Sequence, residues 1–179
     1  AVRVLQAAAD CDVRWFEAAP TYVLHWINAY EEGDEIVLDG FFQGNPNPRK
    51  QEGDDFYKAF YRHIDLNQLE ARPRRYRLNL VTGQVKEEDL SDRFMEFGMI
   101  NGRYGGQPYR YSYAATGHPG MFLFDGLVKK DHLTGAEERY AFGPGRFGSE
   151  TPMAPRIGST AEDDGYLVTF VSDMNDYRK

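Results

Sequence analysis

Two stretches of this chain echo one another: Arg77-Leu78-Asn79-Leu80-Val81-Thr82-Gly83 and Lys129-Lys130-Asp131-His132-Leu133-Thr134-Gly135, their Thr-Gly steps 52 residues apart. Each Thr-Gly follows one strand-forming run and precedes another, and glycine supplies the positive backbone φ that a tight hairpin requires. Around them the chain is a series of short runs rich in aromatic and β-branched residues and bounded by turn signals: 13–17, 22–29, 35–42, 74–80, 109–115, 121–130, 138–142 and 166–172. A period of about 50 residues in such a chain predicts propeller blades of about four strands, roughly two to three of them in this length. An open sector of that size leaves sheet faces and edges uncovered. The chain is therefore expected to be part of a larger propeller or to be completed by other chains.

One helix is predicted, over 54–69, where Phe56, Tyr57, Phe60 and Ile64 recur at helical spacing and Asp54 or Asp55 stands at the start as a cap. Before it, 44–53 reads as a polar loop around Asn45-Pro46-Asn47-Pro48. The expected architecture is all-β, part of a β-propeller with one helical insertion, in a single domain over 1–179. An apolar content of 41% with 15% aromatics supports a sizeable core. No apolar run approaches the roughly 20 residues that cross a bilayer, and the first residues lack a secretory signal pattern. A single cysteine, Cys11, excludes an internal disulfide and a thiolate metal site and is compatible with a reducing, cytoplasmic compartment.

A net charge of −7 argues against a nucleic-acid backbone as partner. The arginines at Arg72, Arg74, Arg75 and Arg77 are expected to form a solvated strand face. Tyr109, Tyr111 and Tyr113 alternate along one strand as packing residues, and Glu162-Asp163-Asp164 reads as a polar turn without the periodicity of a calcium loop. The glycine-rich pieces at 103–106 and 143–145 lack the strand-turn-helix frame of a phosphate cradle.

The residues with chemistry to offer are few. His25 lies in an apolar run, and strand alternation would place it with Val23 and Ile27, where an imidazole is costly unless its ring nitrogens have partners. A metal ligand and a core histidine bonded to a nearby backbone group both meet that requirement. His63 reads as a helix-surface residue, His118 as a turn residue before Pro119-Gly120, and His132 as an exposed turn residue.

The run H-W-I-N-A-Y-E-E-G-D-E-I-V-L-D (25–39) resembles the third iron-histidine motif of the carotenoid cleavage oxygenases, the family of apocarotenoid and lignostilbene dioxygenases and the retinoid isomerase. Three further segments match in the same order: F-M-E-F-G-M-I-N with G-G-Q-P-Y-R-Y-S-Y (94–113), G-L-V-K-K-D-H-L-T-G (126–135), and G-S-E-T-P-M-A-P-R followed by E-D-D-G-Y-L (148–167). The sequence is closest in character to bacterial members. The resemblance implies a seven-bladed propeller with a non-haem Fe(II) held by four neutral histidines beneath an apolar tunnel. It also implies oxidative cleavage of a conjugated C=C bond of a carotenoid, apocarotenoid or stilbene by O2, giving two carbonyl products.

Carried onto this sequence, the resemblance makes His25 one of the four iron ligands. Glu96 and Glu150 become two of the glutamates that accept hydrogen bonds from ligand histidines, Glu96 pairing with His25 and Glu150 with a histidine beyond the C-terminal end. A carboxylate on the outer ring nitrogen fixes the tautomer and makes the metal-facing nitrogen more basic. Read as residues alone, each glutamate could equally be an exposed strand-end carboxylate. His63, His118 and His132 match no ligand motif, so the other three ligands are expected from flanking sequence and this segment alone is expected to be inactive. Thr151 and Met153 stand where the family has proline and phenylalanine. A non-catalytic propeller that kept the fold and lost the iron is the alternative. The family draws lipophilic substrates from membranes, so peripheral membrane contact is expected, although no apolar patch is legible in this segment.

Overall fold

The computed structural model describes residues 2–4 and 13–176, and Cys11 lies outside them. Strands β1 (Val2–Val4) and β2 (Arg14–Phe16) pair antiparallel. The next four, β3 (Trp26–Glu32), β4 (Glu35–Gln43), β5 (Ala71–Asn79) and β6 (Val85–Asp89), make an up-and-down antiparallel sheet, with α1 (Phe56–Arg62) and α2 (Leu66–Leu69) inserted between β4 and β5. A second sheet of the same kind follows from β7 (Met95–Ile100), β8 (Tyr111–Gly117), β9 (Phe124–Asp131) and β10 (Glu137–Ala141). Four short strands, β11 (Arg146–Phe147), β12 (Met153–Pro155), β13 (Gly165–Leu167) and β14 (Ser172–Asp173), pair as β11 with β14 and β12 with β13. Two consecutive four-stranded meanders are the unit of a propeller, so the expected all-β architecture and its blade count hold.

The echoed heptapeptides are the same turn in the same place, joining the third strand to the fourth in each sheet. Asn79 Oδ1 accepts from the N–H groups of Val81 and Thr82 at 3.0 and 2.8 Å, and Asp131 Oδ1 accepts from Leu133 and Thr134 at 2.9 and 3.4 Å. Gly83 and Gly135 close the two turns at φ 75° and 77°, donating to the carbonyls of Asn79 and Asp131. A side chain that satisfies turn amides and a glycine that tolerates positive φ are the whole content of the repeat.

Several strand bounds move. The run predicted over 22–29 becomes β3 at Trp26–Glu32, and the one over 166–172 divides between β13 and β14. Strand β6, Val-Lys-Glu-Glu-Asp, carries no apolar signal because its cross-strand partners are the arginines of β5: Arg74 binds Glu87 at 3.1 Å and Asp89 at 2.5 Å. Three of the four arginines are therefore ion-paired rather than solvated, with Arg77 on Glu32 and Glu35 and with Arg75 turned into the protein onto Asp39, while Arg72 lies over the Phe94 ring. The single helix predicted over 54–69 is two. Asp55 caps α1, but Asp65, buried, caps α2 with Oδ1 and accepts from Gly120 N–H with Oδ2 at 2.9 Å, which breaks the helix at His63–Asp65. No residue of α1 is buried, whereas Leu66 and Leu69 of α2 enter the core with Phe124, Leu127 and Phe142.

The two large sheets meet through apolar and polar contacts. Phe41 and Ile27 of the first pack on Met95, Ala114 and Val128 of the second. Asp39, inaccessible to solvent, accepts both arms of the Arg75 guanidinium at 2.9 and 2.8 Å and a short hydrogen bond from the Tyr109 hydroxyl on the other sheet. Burial and the adjacent Asp39 charge hold the Tyr109 hydroxyl protonated far above its ordinary range. His132 is not an exposed turn residue: its ring stacks edge-on against Tyr109 at 5.0 Å, and its Nε2 pairs with Ser112 Oγ at 2.8 Å.

Gly98 makes the close approach possible, because a Cβ there would lie 2.5 Å from Ile27 Cγ1 and 3.0 Å from the Phe41 ring. Gly98→Ala is expected to destabilise the protein by about 1–3 kcal/mol, the cost of overpacking a filled interior, as read from denaturant unfolding. An unchanged midpoint would place slack at this joint. Burial lowers the His132 pKa to about 4 from 6.5. Neutral in the folded state, it takes up a proton on unfolding between those values, so stability is fully present above pH 6.5 and declines as pH falls toward 4. His132→Phe is expected to flatten the melting temperature against pH in that window relative to the parent, and parallel profiles would remove His132 as the cause.

Candidate metal centre

His25 stands immediately before β3, where its carbonyl accepts from Phe41 N–H at 3.4 Å and the pairing of β3 with β4 bulges between Trp26 and Asn28. It is off the strand proper, so the buried strand face shared with Val23 and Ile27 is not its setting, and its side chain keeps 38% of its exposure. Glu96 lies on β7 across the joint and is inaccessible to solvent. The two first strands of adjacent sheets thus bring a histidine and a glutamate from 71 residues apart into one hydrogen bond, His25 Nδ1 to Glu96 Oε2, at 2.8 Å. Glu96 is the partner that the sequence resemblance implied for His25.

The carboxylate is held from a second side. Phe97 N–H donates to the same Oε2 at 2.7 Å, while Oε1 has no hydrogen-bond partner among the described residues. Burial pushes the Glu96 carboxyl above its ordinary range, against the pull of the Phe97 amide and of His25. Phe97 also packs its ring on the His25 imidazole, with centroids 4.7 Å apart, and touches Phe124 and Phe122 at 4.9 and 6.1 Å.

With Nδ1 committed to Glu96, Nε2 is the ring nitrogen without a hydrogen-bond partner among the described residues. A half-exposed imidazole, oriented by a buried carboxylate and presenting a bare Nε2, has the form of a metal ligand and its supporting shell. It is one ligand: no three His, Cys, Asp or Glu side chains among the described residues converge as a metal site. A metal on Nε2 needs further ligands from elsewhere.

The remaining candidates stay apart from this pair. Glu150 is exposed in the segment between β11 and β12, and its carboxylate makes no hydrogen bond among the described residues. Its neighbour Thr151 is buried with its hydroxyl on Ser149 O at 3.1 Å, so the threonine in place of the family's proline fits the turn. Met153 pairs with Leu167 in β12 and β13. His63 is the exposed C-cap of α1, and His118 turns toward Asp125 at 3.8 Å. In the acidic turn, Glu162 accepts from the N–H groups of Arg110 and Tyr111 at 2.8 and 2.7 Å, a structural use of its charge. Phe97 is the residue of this centre to which sequence reasoning assigned no role, since nothing in Phe-Met-Glu-Phe-Gly announces its backbone conformation.

Beside the centre opens a cleft of about 820 Å³ between α1–α2 and the 120–123 segment, walled by Phe60, Ile64, Met121, Phe122 and Leu123. Phe122 links it to the histidine through Phe97. Phe60 and Tyr61 of α1 line it and, with Phe56 and Tyr57 beside them, are 50, 49, 76 and 69% exposed, an apolar patch that was not legible in the sequence.

Comparison with known proteins fits this geometry. A family model described as RPE65, retinal pigment epithelial membrane protein, matches residues 3–179. Carotenoid 9,10(9',10')-cleavage dioxygenase 1 of Pisum sativum is 34% identical over 94% of this chain and 32% of its own length. Apocarotenoid-15,15'-oxygenase of Synechocystis is 30% identical over 84% of this chain and 30% of its own length. The structure of cobalt-substituted Synechocystis ACO superposes with a TM-score of 0.84 at 24% identity, over 97% of this chain and 35% of that one. The chain spans about a third of the length of the relatives it matches. By its match over nearly all its residues, and by four collinear motifs, the chain belongs to the RPE65 family of carotenoid cleavage oxygenases.

Proposed function

We propose that this chain supplies two adjacent blades and one iron-ligating imidazole to a non-haem Fe(II) dioxygenase that cleaves a conjugated C=C bond of a carotenoid or apocarotenoid. One O2 is consumed, each of its atoms ending on one carbon of the broken double bond, and two carbonyl products result. The observation that carries this reading is the His25–Glu96 hydrogen bond at 2.8 Å, joining a half-exposed imidazole to a carboxylate without solvent access.

Each residue then has a task. His25 Nε2 would bind the iron, with the other three histidines contributed from outside the described residues. Glu96 accepts the Nδ1 proton and so keeps the bare electron pair on Nε2, where a metal can use it. Iron, when bound, supplies the means of activating O2, which has no other partner among groups of this type. A polyene has no acidic proton to abstract, and its recognition rests on shape and apolar contact. The Phe97 ring, backed by Phe122 and Phe124, covers one side of the imidazole, and the cleft walled by Ile64, Met121 and Leu123 is of the size and polarity to lodge part of a long hydrocarbon. Glu150, exposed here, would orient a further ligand histidine in the whole assembly. The exposed rings of α1 at the mouth of the cleft would meet a lipid layer on the cytoplasmic side, a peripheral contact through which a lipophilic substrate could enter.

In the full-length protein, His25→Ala is expected to abolish iron retention, measured as iron per chain, while the far-ultraviolet spectrum stays β-rich. Normal iron content in that variant would sink the ligand assignment. Glu96→Gln keeps the volume but loses the charge, and is expected to weaken Fe(II) binding by about 10- to 100-fold. Unchanged affinity would detach Glu96 from the metal.

A further inference from the structure

Glu96 and Phe97 are consecutive in sequence, yet both touch His25, the first through its carboxylate and the second through its ring. A regular strand forbids this, because neighbouring side chains point to opposite faces. The alternation is broken at Phe97, whose φ is 55° in the left-handed region, and the pairing of β7 with β8 loses register between Glu96 and Met99. A bulky residue at positive φ is a costly conformation that persists only where its surroundings enforce it, and such outliers concentrate at functional sites. Here the enforcement is visible. The Phe97 ring is wedged among His25, Phe122 and Phe124 at 4.7, 6.1 and 4.9 Å, and on the other side Gly98 is pressed against Ile27 and Phe41.

We propose that the left-handed turn at Phe97 is the positioning device of the metal centre: it breaks the alternation of β7 so that two consecutive side chains meet one imidazole, the Glu96 carboxylate on Nδ1, where the Phe97 N–H also pins it, and the Phe97 ring on the face of His25. The proposal rests on the reading of His25 as a ligand. Both effects serve one end. The amide fixes the carboxylate that fixes Nδ1, and the ring blocks rotation of the imidazole about its bond to the backbone. An extended residue at position 97 would restore the strand alternation, so that the Glu96 carboxylate and the side chain of residue 97 could no longer both face His25. Phe97 is a positioning residue, acting on the metal through Glu96 and His25.

The test compares Phe97→Gly with Phe97→Ala in the full-length protein, by titration with Co(II), cobalt being the metal substituted into the Synechocystis structure. Both variants lose the ring; glycine adopts the left-handed conformation freely, and alanine resists it. The Gly variant is expected to bind Co(II) about threefold more weakly than the parent, and the Ala variant at least about tenfold more weakly, approaching Glu96→Gln. The visible spectrum of bound Co(II) is expected to stay parental in the Gly variant and to change in the Ala variant, a readout that general loss of packing does not move selectively. Equal affinities for the two variants, or parental affinity in the Ala variant, would overturn the proposal. If the Ala variant does not fold, the Gly variant decides alone: a loss as large as that of Glu96→Gln would assign the effect to the ring and overturn the role of the turn. Parental Co(II) affinity in His25→Ala would sink the ligand reading and this proposal with it. A weakened His25→Ala beside equal Gly and Ala variants sinks this proposal alone.

Discussion

A carboxylate with no access to water must find its donors inside the protein, and Asp39 and Glu96, both inaccessible, each take one of theirs across the joint between the two large sheets. Asp39 of the first sheet receives Tyr109 from the second, and Glu96 of the second receives His25 from the edge of the first. Losing either donor would leave a dry charge short of a partner, a far larger penalty than a missing surface ion pair. The apolar joint between Phe41, Met95 and Val128 supplies bulk burial, but these two pairs set the register. The candidate centre therefore depends on the relative placement of the sheets as much as on its own residues.

The two carboxylates differ in how fully they are satisfied. Asp39 is saturated by a guanidinium and a phenol and behaves as a structural anion. Glu96 has one oxygen shared by two donors and the other without a partner among the described residues, and burial drives its carboxyl upward. Its hydrogen bond to an imidazole that remains half-exposed joins a dry acceptor to a wet donor. That asymmetry separates a site from a clamp: the inner end of the pair is fixed, and the outer nitrogen is free to meet something else.

Much of this was legible in the sequence where a local rule and the fold agreed. The Asn79 and Asp131 turns betrayed themselves through Thr-Gly because a turn amide needs an acceptor and a positive φ needs glycine, whatever lies around them. Strands β4 and β9 were legible as runs of aromatic and β-branched residues bounded by turn signals. Strand β6 did not, since its signal is charge complementarity to arginines on another strand, visible only once the pairing is known. The break between α1 and α2 was hidden because Asp65 is occupied by Gly120, a residue 55 positions away. His132 looked exposed because its turn is exposed, while its ring reaches back to Tyr109 and Ser112. The His25–Glu96 pair was reached through family motifs alone; periodicity placed His25 on a strand face that it does not occupy.

The helical insertion shows how one anchor can leave a surface free. Asp65 ties α2 to the 120–123 segment, and Leu66 and Leu69 bury α2 beside Phe124, so the far wall of the cleft is built into the core. Helix α1 has no such hold on the core: its closing contact is Arg62 on Asp54, a pair that holds the Asp54 carboxyl down at about 2 but commits no apolar side chain. Its rings are consequently available at the mouth, while Phe122 at the inner end leads through Phe97 to His25. Phe60 and Tyr61 of α1 and Phe122 thus line one cleft, and Phe122 leads through Phe97 to a half-exposed imidazole. An aromatic-walled cleft that ends at one imidazole suits a ligand whose recognition depends on hydrocarbon contact and whose chemistry is confined to one end.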